Sequence, residues 1–178
     1  MFRKSVGVIC GRVDNKGRPT IYDFIKNYNH KHLMKIGRLD CNTEGLLLLT
    51  NDGDLARSLE LPSSNIRRKY LVKIFGNVTK NHLEKFSRGS YIDGVHYGKM
   101  NTKIVKEFKS YTWIEVELFE GKNREIRNIF KHMNMNVCRL IRTEYGPYKL
   151  NSSSLSKNQL KEVSLHKNIL KYCETLKP

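Results

Sequence analysis

The sequence predicts an α+β domain, and three observations carry that expectation. Segments with a strand period and segments with a helical period are interspersed along the 178 residues without regular β-α-β units. TWIEVELFE (residues 112–120) alternates Ile114, Val116 and Leu118 against Glu115 and Glu117, the period of a strand with one wet face. NREIRNIFKHM (residues 123–133) instead spaces Ile126, Phe130 and Met133 as a helix does. With 39% hydrophobic residues the chain can bury the core of one ordinary domain or two small lobes.

In chain order, SVGVIC (5–10) reads as a strand and RVDNKGRP (12–19) as a turn. Pro19 and Thr20 can start a short helix through IYDFIKNY (21–28). LLLLT (46–50) is short and bounded by turn residues, which argues for a buried strand, although periodicity alone admits a helix. Asn51-Asp52-Gly53 closes it, and Asp52 or Asp54 can cap a helix through LARSLE that must stop near Pro62. KYLVKIF (69–75) is a second strand, and Thr79 to Arg88 a capped helix with Gly89 at its C-terminal end. After the strand of 112–120 and the helix of 123–133, NVCRLIR (136–142) forms a further strand. From Asn151 onward the polar residues indicate a surface tail.

Charge bounds the partner. Thirty-three Lys and Arg stand against 17 Asp and Glu, a net charge of +16, which favours a polyanion because neutralised phosphates release counterions. No run approaches the roughly 18 apolar residues of a membrane span, and MFRKSVGVIC has too short an apolar stretch for a secretory signal. Cys10, Cys41, Cys138 and Cys173 are scattered, so neither a zinc site nor a disulfide framework is expected. A reducing, cytoplasmic setting follows. No Walker loop, GxGxxG or HExxH pattern is present, and Asp52 and Asp54 lack the further ligands of a calcium loop. No cofactor and no metal are expected.

Four stretches can carry chemistry. Asp40, close to Arg38 and just ahead of the leucine run, would be held ionised by a neighbouring cation. It can serve as nucleophile, as base, or as a structural salt-bridge partner. In FEGKNREIR (119–127), Glu120, Lys122, Arg124, Glu125 and Arg127 place opposite charges at the start of a helix; Arg124 and Arg127 share one face, ready for phosphate or for a buried carboxylate, or simply solvated. In RRKYLVKI (67–74), cations precede Tyr70 on a strand, an arrangement that holds phosphates while a base stacks, unless the tyrosine is plain core. RLIRTEYGPYKL (139–150) again interleaves arginines with aromatics, with a turn at Gly146-Pro147.

Taken together and in this order, GRLDCNTEGLLLLTNDGDLA (37–56), RRKYLVKIFGNV (67–78), FEGKNREIR and RLIRTEYGP closely resemble the motif series of the RsuA/RluB-type ribosomal RNA pseudouridine synthases, with similarity from about Lys4 to Val163. The resemblance implies a pseudouridine synthase fold: a mixed, largely antiparallel sheet in two lobes flanked by helices, with a central RNA cleft. It implies a cofactor-free isomerase that detaches uracil from ribose, rotates it and rejoins it through C5, acting on ribosomal RNA, with the 23S molecule preferred over 16S. On this resemblance Asp40 matches the essential aspartate, Tyr70 the motif tyrosine that stacks on the base and assists proton removal, and Arg127 the cation that pairs with the aspartate. Whether attack falls on C1′ of the ribose or C6 of the base is left open.

Arg3, Lys4, Arg38, Arg67, Arg68, Lys69, Lys122 and Arg124 are the expected RNA-binding cations. The expected organisation is a catalytic domain over 1–165, with a lobe junction near 61–68, and a tail over 166–178. Two departures from the family pattern are expected to matter: Lys4-Ser5-Val6-Gly7 stands where the family has Lys-Pro-x-Gly, and no S4-type RNA-binding domain is expected ahead of this point, where many relatives carry one. The expected partner is ribosomal RNA or a subunit assembly intermediate, bound by a monomer, with no membrane. The alternative reading is a catalytically inactive RNA-binding module that assists ribosome assembly.

Overall fold

Four successive leucines need both faces of a strand covered, and the fold supplies both covers. The computed structural model describes residues 1–28 and 32–169. Its elements are β1 (Phe2–Lys4), α1 (Ile21–Ile25), β2 (Met34–Ile36), β3 (Glu44–Thr50), α2 (Gly53–Glu60), β4 (Arg68–Phe75), α3 (Lys80–Arg88), β5 (Ser90–Ile92), β6 (Val95–Tyr97), β7 (Asn101–Glu107), β8 (Tyr111–Leu118), α4 (Glu125–His132), β9 (Val137–Tyr145) and β10 (Tyr148–Lys149), with a 3-10 turn at Pro62–Ser64.

Eight strands form one sheet in the order β1-β3-β9-β4-β8-β7, with β2 continuing beside β3 and β10 beside β9. Among the described residues only the β3–β9 pairing in this sheet is parallel; β5 and β6 form a separate antiparallel hairpin. The class is therefore α+β with a mixed, mostly antiparallel sheet, as expected from the sequence.

β3 lies inside the sheet. Leu47 joins the larger core with Phe2, Val72, Ile114 and Phe130, whereas Leu46 and Leu48 join a smaller one with Ala56, Leu59, Ile66 and Tyr145. Alternate residues of a strand face opposite ways, so the two cores cover the two faces of β3, and the apolar run needs no polar partner positions. Full burial of each leucine stabilises the fold by about 2 kcal/mol. β4 and β8 show the other pattern: Tyr70, Val72 and Ile74 and their neighbours Ile114, Val116 and Leu118 are buried, while the intervening residues are half-open. α3 and α4 cover the buried side and meet through stacked Phe86 and Phe130 rings, 4.5 Å between centroids.

The capping residues behave as their chemistry requires. Thr20 and Thr79 each close a capping box, with Asp23 and His82 respectively, Asp52 accepts from the Leu55 amide, and Gly89 ends α3 with φ of 80°. The helix begun at Thr20 is shorter than expected, ending at Ile25.

Two expectations fail. The strand placed at Ser5–Cys10 lies instead at Phe2–Lys4, paired with β3 through Phe2↔Leu47 and Lys4↔Gly45. Beyond Lys4 the chain turns at Gly7, whose φ of 88° suits glycine and whose amide donates to the Cys41 carbonyl, so this segment becomes a brace for another loop. The stretch after Asn151 is not merely a surface tail. Leu155 and Ile169 are buried, and the backbones of Asn158, Gln159 and Lys161 bond to Arg3 and Met1 along the outer side of β1. An edge strand leaves a row of unpaired backbone groups, and this segment satisfies them. Of the tail expected at 166–178, residues 170–178 lie outside the described residues. β7, which the periodicity missed, is an outer strand whose exposed lysines break its alternation.

Candidate active site

Between β2 and β3 the loop of residues 37–43 presents Asp40, and its backbone is fastened from several directions. The Gly37 amide donates to Glu60 Oε1 at 2.7 Å. The Leu39 amide donates to Cys10 Sγ at 3.4 Å, and that thiol returns a bond to the Leu39 carbonyl at 3.3 Å. The Thr43 amide closes a turn onto the Asp40 carbonyl at 3.0 Å, and the Gly7 amide holds Cys41 at 2.9 Å. Beneath the loop Lys4 is completely buried, its ammonium donating to the carbonyls of Thr43 (2.8 Å), Ser5 (3.0 Å) and Cys41 (3.4 Å). Burial pushes the Lys4 pKa down, and the charges of Cys10, Cys41, Asp40 and Glu44 oppose that shift. A reactive group gains from such a rigid seat.

Gly45 fixes where the loop joins the sheet. Its φ is 114°, and a Cβ there would stand 2.3 Å from the Arg142 carbonyl oxygen. Only glycine lets β3 approach β9 this closely.

Asp40 faces a cleft of about 360 Å³ whose walls include Arg38, Tyr70, Lys122, Arg124, Glu125 and Arg142. Its side chain is a quarter exposed, and Arg124 Nη1 lies 3.5 Å from Oδ2. At that separation the two interact as an ion pair rather than through a good hydrogen bond. Arg124 sits just ahead of α4 in the left-handed region, φ 50°, a strained conformation for a residue with a side chain.

The expected ion pair between Asp40 and Arg127 is not the one that forms. Arg127 Nη2 donates to the Asn42 carbonyl at 2.8 Å and Nη1 to the Val137 carbonyl at 3.2 Å, and its buried Nε has no partner among the described residues. Burial lowers its pKa, Arg124 adds to this, and nearby Asp40 opposes it. The turn at Arg124 carries that guanidinium over the rim to the carboxylate, while Arg127, one helical turn on, reaches underneath and ties the loop to β9.

Tyr70 lies on the cleft side of β4, only 9% exposed, opposite Arg142 in the β4–β9 register. The remaining expected cations divide by the strand period. Arg38 is exposed at the rim, and Lys122 lies at the rim beside Glu120. Arg67 and Lys69 point to the other face of the sheet, where Arg67 pairs with Glu117 (3.3 Å) and Glu144 (2.7 Å) and Lys69 with Glu115 (3.1 Å). They do not line the cleft. Arg68 does, but it is buried, donating to the carbonyls of Ile66 and Phe119 and lying over the Tyr145 ring. Arg3 donates to the Ser152 and Leu155 carbonyls and holds the C-terminal segment. Arg3, Lys4 and Arg68 are therefore structural cations.

Two buried groups of the cleft were not among the expected site residues. Glu125, 4% exposed, accepts from the Lys122 amide at 3.0 Å and is pushed up to about 8, by burial first and then by the hydrogen bond and charge of Glu120. Burial also pushes Glu120 upward, but its hydrogen bonds with Glu125, Lys122 and the Gly98 amide outweigh this and hold it low. Glu125 is thus the carboxyl that burial favours in its protonated form, and its buried Oε1 has no hydrogen-bond partner among the described residues. Arg142 is 2% exposed. A signal for it existed, because it follows the buried Leu140 in strand phase. Among the described residues no group of three or more His, Cys, Asp or Glu is placed to hold a metal ion, and no helix is long and apolar enough to cross a membrane.

Residues 1–133 match the family model described as RNA pseudouridylate synthase. An uncharacterized RNA pseudouridine synthase of Rickettsia bellii (strain RML369-C) is 44% identical over 164 residues, 92% of this chain and 69% of the relative. The ribosomal large subunit pseudouridine synthase B of Pasteurella multocida (strain Pm70) is 37% identical over 86% of this chain but only 44% of its own length. The chain thus spans less than half of that enzyme and about two thirds of the rickettsial relative. A crystal structure of a pseudouridylate synthase superposes with a TM-score of 0.83 at 25% identity, covering 96% of this chain and 71% of that one. With its fold, its cleft and the match over 1–133 in agreement, the chain belongs to the RNA pseudouridylate synthase family.

Proposed function

We propose that this protein isomerises a uridine of ribosomal RNA to pseudouridine, with 23S preferred over 16S, and that it acts in the cytoplasm as a monomer on RNA or on a subunit assembly intermediate. The observation that carries the reading is Asp40, a carboxylate on a loop fastened at several points, lining the same basic cleft as Tyr70 and paired with one cation, Arg124. The likeness to a large-subunit pseudouridine synthase supports the choice of RNA.

In this reading a uridine is flipped out of its stack at a few kcal/mol, part of which is repaid by stacking on Tyr70. Asp40, paired with Arg124 and aimed by the loop that Lys4 and Arg127 hold, attacks the nucleotide at C1′ or C6. The C1′–N1 bond breaks, the base turns, a C5–C1′ bond forms, the bond to Asp40 is broken again to return the carboxylate, and the proton lost from C5 with help from the Tyr70 hydroxyl is matched by one gained at N1. Every bond made or broken lies within the nucleotide or at Asp40, so no cofactor is required. Arg38, Lys122 and Arg124 hold phosphates at the rim.

The test is tritium release from RNA labelled at uridine C5, with 23S and 16S transcripts and partly assembled subunits as substrates. Release by the wild type and none by Asp40→Asn or Asp40→Ala, both folded and still binding RNA, is expected. Turnover by pure Asp40→Ala would overturn the mechanism. RNA binding with no release from any substrate would favour the inactive binding module.

A further inference from the structure

Arg142 is a cation without a counter-ion at the floor of the cleft. Its Nε donates to the Leu46 carbonyl at 2.8 Å, its guanidinium lies 5.0 Å from the centre of the Tyr145 ring, and its Nη2 is buried with no partner among the described residues. No carboxylate among the described residues lies within ion-pair distance of it, in contrast to Arg124, Arg139 and Arg67. Leu46 and Tyr145 fix the plane of the group, and the pairing of Tyr70 with Arg142 across β4 and β9 puts the free donor beside the proposed stacking platform. Taking an unpaired charge out of water opposes folding, so its presence calls for an explanation in the bound state.

We propose that Arg142 is a catalytic residue that stabilises negative charge on the uracil carbonyl oxygens while the base is detached. The inference rests on the isomerase reading above. If Asp40 attacks C1′, the electron pair of the C1′–N1 bond stays with the base and spreads over its two carbonyl oxygens. If Asp40 attacks C6, the π electrons of C5–C6 move toward the C4 carbonyl oxygen. Either route makes the base anionic before the C5–C1′ bond forms; forming that bond and releasing the Asp40 carboxylate restore neutrality, and the proton then lost from C5 is matched by one taken up at N1. A guanidinium already desolvated and fixed interacts more strongly with such charge than a mobile one at the rim, and needs no reorganisation when the charge appears. A phosphate is the poorer occupant. It would have to leave water to reach a group 2% exposed, whereas exposed Arg38 and rim Lys122 meet phosphates without that cost.

Arg142→Met, Arg142→Gln and Arg142→Lys should be compared with wild type in single-turnover tritium release at saturating RNA, in RNA affinity over a salt series, and in thermal unfolding. Loss of one donor to developing charge lowers rates by about 10²- to 10³-fold. That loss is expected in the Met and Gln variants, with RNA affinity within about threefold of wild type, an unchanged salt slope, and a melting temperature equal to or above wild type because an unpaired charge is gone. The Lys variant should keep part of the rate. A folded Gln or Met variant turning over like wild type would overturn the assignment while leaving the isomerase reading intact. So would an affinity loss equal to the rate loss with a shallower salt slope, which marks a phosphate contact. If one variant fails to fold, the other two decide. A wild type silent on every RNA would remove the reaction itself, and the assignment would fall with it.

Discussion

Arg124 and Arg127 illustrate what three residues of separation can hide. Both lie on one face of the helical pattern, and the family resemblance assigned the aspartate's partner to Arg127. Which one reaches Asp40 depends on the left-handed turn at Arg124, and no residue pattern encodes that turn, since a non-glycine residue with positive φ is the exception. The two should separate experimentally. Arg124→Ala removes a half-exposed ion pair and should change stability by less than about 1 kcal/mol, while slowing turnover by roughly tenfold or more as Asp40 loses its compensating charge. Arg127→Ala removes two bonds to backbone carbonyls, including the one beneath the Asp40 loop, and should cost about 1–3 kcal/mol as well as activity. Denaturant unfolding of both variants beside single-turnover rates decides, and an Arg127→Ala protein as stable as wild type would show that the loop does not depend on it. Lys4 makes the same point about charge. In the sequence it is one of many cations; in the fold it is buried under the loop because three carbonyls converge there.

At the scale of elements, local signals were legible where they are strong and local. The leucine run, the caps at Thr20, Asp52 and Thr79, and the alternation of β8 all lie where the residues place them. SVGVIC failed because a strand needs a partner as well as a period: β1 took the edge of β3 first, and Gly7 turned the chain away. The β3–β9 junction turns such an argument into a measurement. Gly45→Ala would place a Cβ 2.3 Å from the Arg142 carbonyl oxygen, at a φ that disfavours alanine. A loss of more than about 2 kcal/mol is expected in chemical denaturation, and a change below about 0.5 kcal/mol would show that the strands relax apart.

The start of α4 gives the pH prediction. Glu125 is raised to about 8 in the fold, from an ordinary value of 4.5. Between those values the folded chain holds a proton that the unfolded chain has released, so stability falls as pH rises through the window and is level above and below it. Glu125→Gln has no proton to lose. It should melt with the wild type near pH 5 and above it near pH 8.5, and melting temperatures that stay parallel across that range would remove Glu125 from the account.

Over the whole molecule the net charge of +16 predicts RNA binding, but not where it occurs. Of the cations expected at RNA, strand parity sends Arg67 and Lys69 to the far face, where Glu115, Glu117 and Glu144 already neutralise them. Parity was readable in the sequence; the pairing that decides which parity faces the cleft was not, because β4 lies between β8 and β9, partners distant along the chain. The consequence is a salt dependence that differs by residue. Each phosphate contact adds about 0.7 to the slope of log affinity against log salt on single-stranded RNA and about 0.9 on a duplex. Arg38→Ala should therefore weaken binding across RNA sequences and flatten the slope by about one contact. Arg67→Ala and Lys69→Ala should leave the slope unchanged, since an ion pair with a glutamate releases no RNA counterion. Filter binding over a salt series measures all three, and a flattened slope in Arg67→Ala would mean that RNA reaches past the cleft to the opposite face of the sheet.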